Sequence, residues 1–322
     1  MPPLPVITST KLSLIDKKLS GKVRVMALPE TTADLLRKLS KELTRMRALL
    51  IDRYPNARNS LRIMLSSMGI TAVHNAGSSA EVLRQVRAHN FDIILSDYQL
   101  EDGRDGQQLL EELRQQHLVP LSTVFFIITS ERGYHNVVSV AELAPDDYLI
   151  KPFTADELQG RLVRSIHKKQ FFAQLYEHLD NGAFALALAT CERLLAQDSG
   201  FLLDALRLKG EILNTLGRHA EAQSVYQQVL AQRVVPWARM GLAFALRGQQ
   251  RLAEAESLGQ SLVDEFPEFT AGYDFLAEVR EEMGKPEEAQ EVLLRAAVIS
   301  PKNSSRQRMV GDVAARNNDL PT

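Results

Sequence analysis

Four alanines in the second half of the chain, Ala187, Ala222, Ala255 and Ala289, recur at separations of 35, 33 and 34 residues. No other feature limits the fold as strongly. Each alanine stands five residues after a turn position, respectively Gly182, Gly217, Gln250 and Gly284. Small residues Gly210, Ala243 and Ala277 recur in the helix before, where two helices must approach closely. Pro267 and Pro301 each fall twelve residues after their alanine, and proline tends to end a helix. A unit of this size holds one helix pair, which cannot bury its apolar face alone, so stacked neighbours must supply the core. The pattern predicts an α-solenoid of about four helix pairs over 167–303, the first degenerate, with 304–322 as a cap or tail.

Before residue 167 the pattern is different. Strand-like runs at Ala48–Asp52, Thr71–Asn75, Phe91–Asp97, Thr123–Thr129 and Asp147–Ile150 alternate with helical ones. The helices are expected at Asn56–Met68, Ser79–Ala88, through Leu109, Leu110 and Leu113, near Asn136–Leu143, and from Thr154. Ser78 with Glu81 and Thr154 with Glu157 form capping boxes that start two of them. Such alternation implies a five-stranded, doubly wound parallel sheet with helices on both faces, over 47–166. Four polar residues stand at the carboxyl ends of strands: Asp52, Asp97, Thr129 and Lys151. A lone Asp, Thr or Lys at a strand end is usually structural. In flavodoxin-like strand order, however, these four converge on one crevice, the edge where ligands of open α/β sheets bind.

With Tyr148 and Lys151-Pro152-Phe153 added, this set resembles the receiver domain of two-component response regulators, over about residues 47–166. The resemblance implies that Asp97 is the phosphoacceptor and that Thr129 and Tyr148 are the switch pair. It also implies that Lys151 binds the phosphoryl group, and that Mg²⁺ is held by Asp52, Asp97 and the backbone of Gln99. The expected donor is a sensor histidine kinase or a phosphotransfer protein. The chain departs from the family at two places. Arg53 stands where most receivers carry a second acid, and an arginine cannot ligate a metal. The loop Tyr98 to Gly106 lacks the customary proline and is one residue longer. Two outcomes follow for Arg53: it points to solvent beside a weaker metal site, or its guanidinium pairs with Asp97 and gives a pseudo-receiver that is not phosphorylated.

The helical period is similar to that of tetratricopeptide repeats. That resemblance places Arg207, Asn214, Trp237, Met240, Phe244, Arg247, Asp274 and Glu278 on the inner helices, facing a groove that holds a protein or peptide. Trp237 and Phe244 are the expected anchors, with helix-helix core as the alternative, at nearly even weight for Phe244. The output would be protein binding or oligomerisation, a homodimer included.

A net charge of −2 gives no electrostatic argument for nucleic acid or an anionic membrane. No apolar run reaches the roughly 18 residues of a membrane span, and no signal-peptide core opens the chain, so a cytoplasmic location is expected. The single cysteine, Cys191, lies in an apolar helical pattern and reads as a packing residue. No glycine-rich phosphate loop, histidine-acid metal motif or nucleophile elbow is present, and the chain is expected not to be an enzyme. A phosphatase of the haloacid dehalogenase kind also uses an aspartyl nucleophile. It needs an acid two residues later, where this chain has Gln99.

Residues 1–46 carry nine Lys or Arg against four Asp or Glu up to residue 45, and only Thr32–Arg45 looks helical. They are expected to form an extension before Met46, itself a candidate start, or one helix packed on the sheet domain. From Thr154 to Asp180 helical spacing continues without proline. The last helix of the sheet domain is therefore expected to run nearly straight into the first repeat, with any break at His167–Gln170.

Overall fold

A computed structural model of the chain describes residues 31–101, 105–130, 144–197, 199–267, 269–299 and 304–317. Within them the first half follows the order α1 (Thr32–Leu43), β1 (Arg47–Ile51), α2 (Pro55–Ser67), β2 (Ala72–Ala76), α3 (Ser79–Ala88), β3 (Ile93–Asp97), α4 (Gly106–Gln115), β4 (Val124–Thr129), β5 (Asp147–Ile150) and α5 (Ala155–Phe171). The helix expected near Asn136–Leu143 lies outside the described residues. The strands form one parallel sheet in the order β2-β1-β3-β4-β5. Leu49, Leu50, Ile93, Ile94, Leu95, Phe125 and Phe126 have no exposed surface. Near-continuous apolar runs of this kind are what a sheet covered on both faces requires.

Side chains alternate across the sheet, so two apolar layers form. Leu50, Ile93, Leu95 and Phe126 pack with Leu158, Leu162 and Ile166 of α5 on one face. Leu49, Ile94 and Phe125 pack with Val82 of α3 and Leu109, Leu110 and Leu113 of α4 on the other. Helix α1 belongs to the first layer: Leu35, Leu39 and Leu43, four residues apart and buried, join that cluster. Burying each contributes about 1.5–3 kcal/mol, so α1 is a working part of this core.

The second half is all helix. After α6 (Ala173–Asp180) and α7 (Phe184–Leu195) come α8 (Leu202–Thr215), α9 (His219–Leu230), α10 (Pro236–Gly248), α11 (Leu252–Glu265), α12 (Thr270–Glu282), α13 (Pro286–Ile299) and α14 (Ser304–Arg316). The turn positions of the period join the two helices of each pair, and Gly182, Gly217 and Gly284 adopt φ of +66°, +71° and +72° there. A left-handed residue ends the first helix and lets the second fold back, and glycine does so without a Cβ clash. Gln250 takes the same conformation at φ +61°. The alanines Ala187, Ala222, Ala255 and Ala289 have no exposed surface. The stack is an α-solenoid of helix pairs, closed by α14 through the buried Val313.

The junction differs from expectation in one detail. The break falls at Phe172, two residues beyond the polar stretch His167–Gln170, because Phe172 is fully buried and packs edge-on against Phe171 and Tyr176. The ladder of backbone hydrogen bonds continues across it: Phe172 N–H donates to Lys168 O at 3.1 Å and Tyr176 N–H to Phe172 O at 2.9 Å. Leu121, from the loop before β4, inserts into the apolar cluster of the first repeats. Asp180 of α6 accepts the Leu121 N–H at 3.1 Å, and Lys169 of α5 donates to the Leu121 carbonyl at 2.7 Å. The repeats are thus clamped to the amino-terminal edge of the sheet, opposite the edge that carries Asp97.

Candidate functional site

The crevice is built from strand ends. Asp97 closes β3, Thr129 closes β4, Asp52 follows β1 and Lys151 follows β5. Lys151 Nζ lies 2.6 Å from Asp97 Oδ1 and 3.3 Å from Asp52 Oδ2. One ammonium therefore bridges two carboxylates brought together from distant parts of the chain. Burial works against the Lys151 charge, but the hydrogen bond and charge of Asp97, helped by Asp52, outweigh it and hold the ammonium above the usual lysine range. Asp52 is 2% exposed and also accepts the Tyr54 N–H at 2.8 Å. A carboxylate buried so deeply is tolerated because it is paired and hydrogen-bonded. The Lys151 backbone N–H donates to Thr129 O at 2.7 Å, which fixes β5 beside β4 at the crevice.

Of the two expected orientations, Arg53 takes the one toward solvent. Its side chain is exposed and its guanidinium sits 4.6 Å from the centroid of the Tyr54 ring. The cation on Asp97 is that of Lys151. Arg58, one turn into α2, donates to the Asp52 carbonyl and stands beside Gly77, near Glu81 and Glu101. The sequence reading did not single out Arg58, which sits on an ordinary helix and follows no motif. Gln99, expected to offer its backbone to a metal, is exposed and bridges to Asp105 across its own loop. Asp105 then caps α4 in a reciprocal box with Gln108. Tyr148 is half-buried on β5 and donates its hydroxyl to Gln107 Oε1 at 2.8 Å. Burial, together with the charges of Asp105 and Glu111, pushes its phenol well above the usual range.

In the helical half, Arg207 and Glu211 pair at 3.2 Å on α8, and the Arg207 guanidinium lies 5.8 Å from the Trp237 ring centre. Trp237 stands edge-on to Tyr226, and Asn214 donates to the Gly241 carbonyl at 3.1 Å, tying α8 to α10. Arg247 pairs with Glu278 and Glu282 across to α12, and Asp274 is held by Arg306 of α14 at 2.6 Å. Phe244 packs against Phe275, ring centres 4.8 Å apart. Met240 is buried among Leu262, Phe269 and Phe275. At 8% exposure it contributes to the apolar core of the repeats and offers little surface to a groove.

A family model of the response regulator receiver domain matches residues 48–163, and one of the tetratricopeptide repeat matches residues 172–233 and 215–268. The first half carries a receiver domain and the second carries tetratricopeptide repeats. Among curated relatives, the chemotaxis protein CheY of Pseudomonas aeruginosa is 25% identical over 117 residues, covering 36% of this chain and 93% of that protein. The transcriptional activator protein IrlR of Burkholderia pseudomallei is 33% identical over 124 residues, covering 38% of this chain and 51% of that protein. The probable transcriptional regulator ycf27 of Cyanidium caldarium is 29% identical over 122 residues, 38% of this chain and 47% of that protein. The chain thus spans about half the length of two of these relatives. Among solved structures, the response regulator protein TrrA from Thermotoga maritima in complex with Mg(2+)-BeF is 24% identical, covers 37% of this chain and 98% of that one, and has a TM-score of 0.32. The MamA RS-1 ArsTM double mutant is 20% identical, covers 47% and 85%, and has a TM-score of 0.39.

For the receiver crevice the donor set can be tested against magnesium. Asp52 and Asp97 present hard oxygen donors side by side, and Mg²⁺ is commonly held by one or two carboxylates with waters completing its shell. Asp52, buried and fixed by Tyr54 and Lys151, suits that role. Among the described residues no group of three or more His, Cys, Asp or Glu converges, and the carboxylates at this crevice are Asp52 and Asp97.

Proposed function

We propose that the chain is a response-regulator-type signalling protein in which phosphorylation of Asp97 controls protein binding by the repeat groove. One observation carries this reading: Lys151 Nζ sits between Asp97 and Asp52 at the carboxyl edge of the sheet. A carboxylate attacks a phosphohistidine only if the charge of the transferring phosphoryl group is neutralised. The Asp97 carboxylate forms the new P–O bond as the P–N bond to the donor histidine breaks, and the imidazole leaves with the electron pair and takes up a proton. Lys151 shifts its ammonium from Asp97 toward the phosphoryl oxygens. Thr129 donates its hydroxyl to one of them, and Tyr148 follows the movement of β4. Mg²⁺, held by Asp52 and Asp97, would supply the remaining positive charge. The donor is a sensor histidine kinase or a phosphotransfer protein.

The division we propose is a receiver over 47–166 supported by α1, repeats over 167–303 and a cap beyond. Its output is binding of a protein or peptide, a second copy included, in place of DNA contact or turnover of a substrate. No helix among the described residues is long and apolar enough to cross a membrane, which suits a cytoplasmic signalling role.

Incubation with acetyl phosphate and Mg²⁺, followed by intact mass, tests the reading. The wild type gains one phosphoryl group and Asp97→Asn gains none. The competing reading, a receiver that is never phosphorylated, rests on Arg53 standing in place of an acid. It predicts no gain in the wild type and a gain in Arg53→Asp.

A further inference from the structure

Helix α4 has no exposed residue from Gly106 to Arg114, although its only apolar side chains, Leu109, Leu110 and Leu113, all enter the sheet core. The other outer helices keep wet faces, with Asn59 and Ile63 exposed on α2 and Arg84 and Arg87 on α3. A helix on a sheet covered from one side exposes its outer stripe unless a second body lies over it. The repeat array lies on that side. Arg114 of α4 and Tyr176 of α6 line one cavity of about 70 Å³ together with Asp204, Arg207 and Leu208 of α8, an inner helix of the repeats. Further along α4, Glu111 is close enough to Arg306 of α14 and Asp274 of α12 to feel both charges. Arg306 is itself only 4% exposed, with its guanidinium on both oxygens of Asp274 at 2.8 and 2.6 Å.

The same helix is wired to the acceptor edge. Tyr148 donates its hydroxyl to Gln107 Oε1 at 2.8 Å, and Gln107 Nε2 donates to Glu111 Oε1 at 3.1 Å. A side-chain relay therefore runs from Tyr148 on β5 to Glu111, a carboxylate of α4 within electrostatic reach of the Arg306–Asp274 pair.

We infer that α4 is the resident ligand of the repeat groove, held there through the Tyr148–Gln107–Glu111 relay. The release step rests on the reading of Tyr148 as a switch residue given above. When Tyr148 rotates, Gln107 loses its donor, Glu111 loses its orientation, and the groove is uncovered. This output surface is the outer face of α4, joined through Arg114 to the first repeats and through Glu111 to the last.

Hydrogen exchange of the full-length protein, with small-angle scattering alongside, tests the inference on Tyr148→Phe, Gln107→Ala and Glu111→Arg, each checked for folding by circular dichroism. In all three, without any phosphoryl donor, amides of α12 and α14 are expected to exchange about tenfold faster, the effect of losing one organising polar contact. The radius of gyration should rise. Wild type treated with acetyl phosphate and Mg²⁺ should show the same change. Unaltered exchange and scattering in folded Glu111→Arg and Tyr148→Phe would overturn the inference. Opening in the variants with no opening of acetyl-phosphate-treated wild type upholds it and instead removes the phosphorylation reading.

Discussion

Lys169 Nζ stands 2.9 Å from Asp146 Oδ1, an ion pair almost closed to solvent at the seam between β5 and the first repeat. The ammonium also lies 4.8 Å from the centre of the Tyr176 ring. Burial is the main cause that lowers its pKa to about 8; Asp146 opposes this, while Arg114 and Lys168 add to it. A lysine depressed in this way releases its proton from the folded state first. Between about pH 8 and 10.5 the unfolded chain binds more protons, so this group adds stability as pH rises through that window. Urea unfolding of wild type and Lys169→Met should show a difference that moves in favour of wild type by up to about 3 kcal/mol across it. A difference that stays flat or falls contradicts the assignment.

Lys151 separates its structural role from its chemical one. Lys151→Ala leaves Asp52, which is 2% exposed, without its ammonium. Because Lys151 is itself about a third exposed, the expected loss is about 2 kcal/mol, the lower side of the range for breaking a buried pair. Adding Asp52→Asn should recover part of it. Labelling of Lys151→Ala by acetyl phosphate should slow by about 100-fold, the usual effect of removing one preorganised donor from a developing charge.

Tyr226 fills the space between two inner helices, and a Cβ on Gly241 would come within 2.2 Å of its ring. Gly241→Ala gains helix propensity but drives a methyl group into a fully buried aromatic ring. A net loss of about 1–3 kcal/mol is expected, read from thermal melting of the repeats. Gly217→Ala should instead suffer only from its φ of +71°, since nothing lies within 4 Å of its Cβ.

Gln250 offers the opposite case. It holds φ +61° at the turn where the other three repeats use glycine. Gln250→Gly should stabilise the protein by about 0.5–1 kcal/mol through relief of that conformation, less the added freedom of the unfolded chain. A denaturant midpoint below that of wild type counts against it.

Taken alone, the amino-acid order determined a great deal. Short apolar runs alternating with helical ones marked the sheet, a repeat of about 34 residues marked the solenoid, and the recurring glycine and alanine marked the hairpin turns and close approaches. The strand-end rule alone brings Asp52, Asp97, Thr129 and Lys151 to one crevice. These signals are local or periodic, so they survive in one dimension. Whether Arg53 would turn to Asp97 or away was decided in space, where its guanidinium lies over the Tyr54 ring and Lys151 supplies the cation on Asp97. Met240 read as groove and proved to be core, because a helix period does not say which of two neighbours a stripe faces. Packing of α1 on the sheet and the break at Phe172 were settled by what lay across from them. Most of all, the nearness of Glu111 to the charges of Arg306 and Asp274 follows from how the helix pairs of the solenoid stack. Small rotations repeated over several pairs decide where its last helix arrives, and no residue near Glu111 in the sequence records that sum.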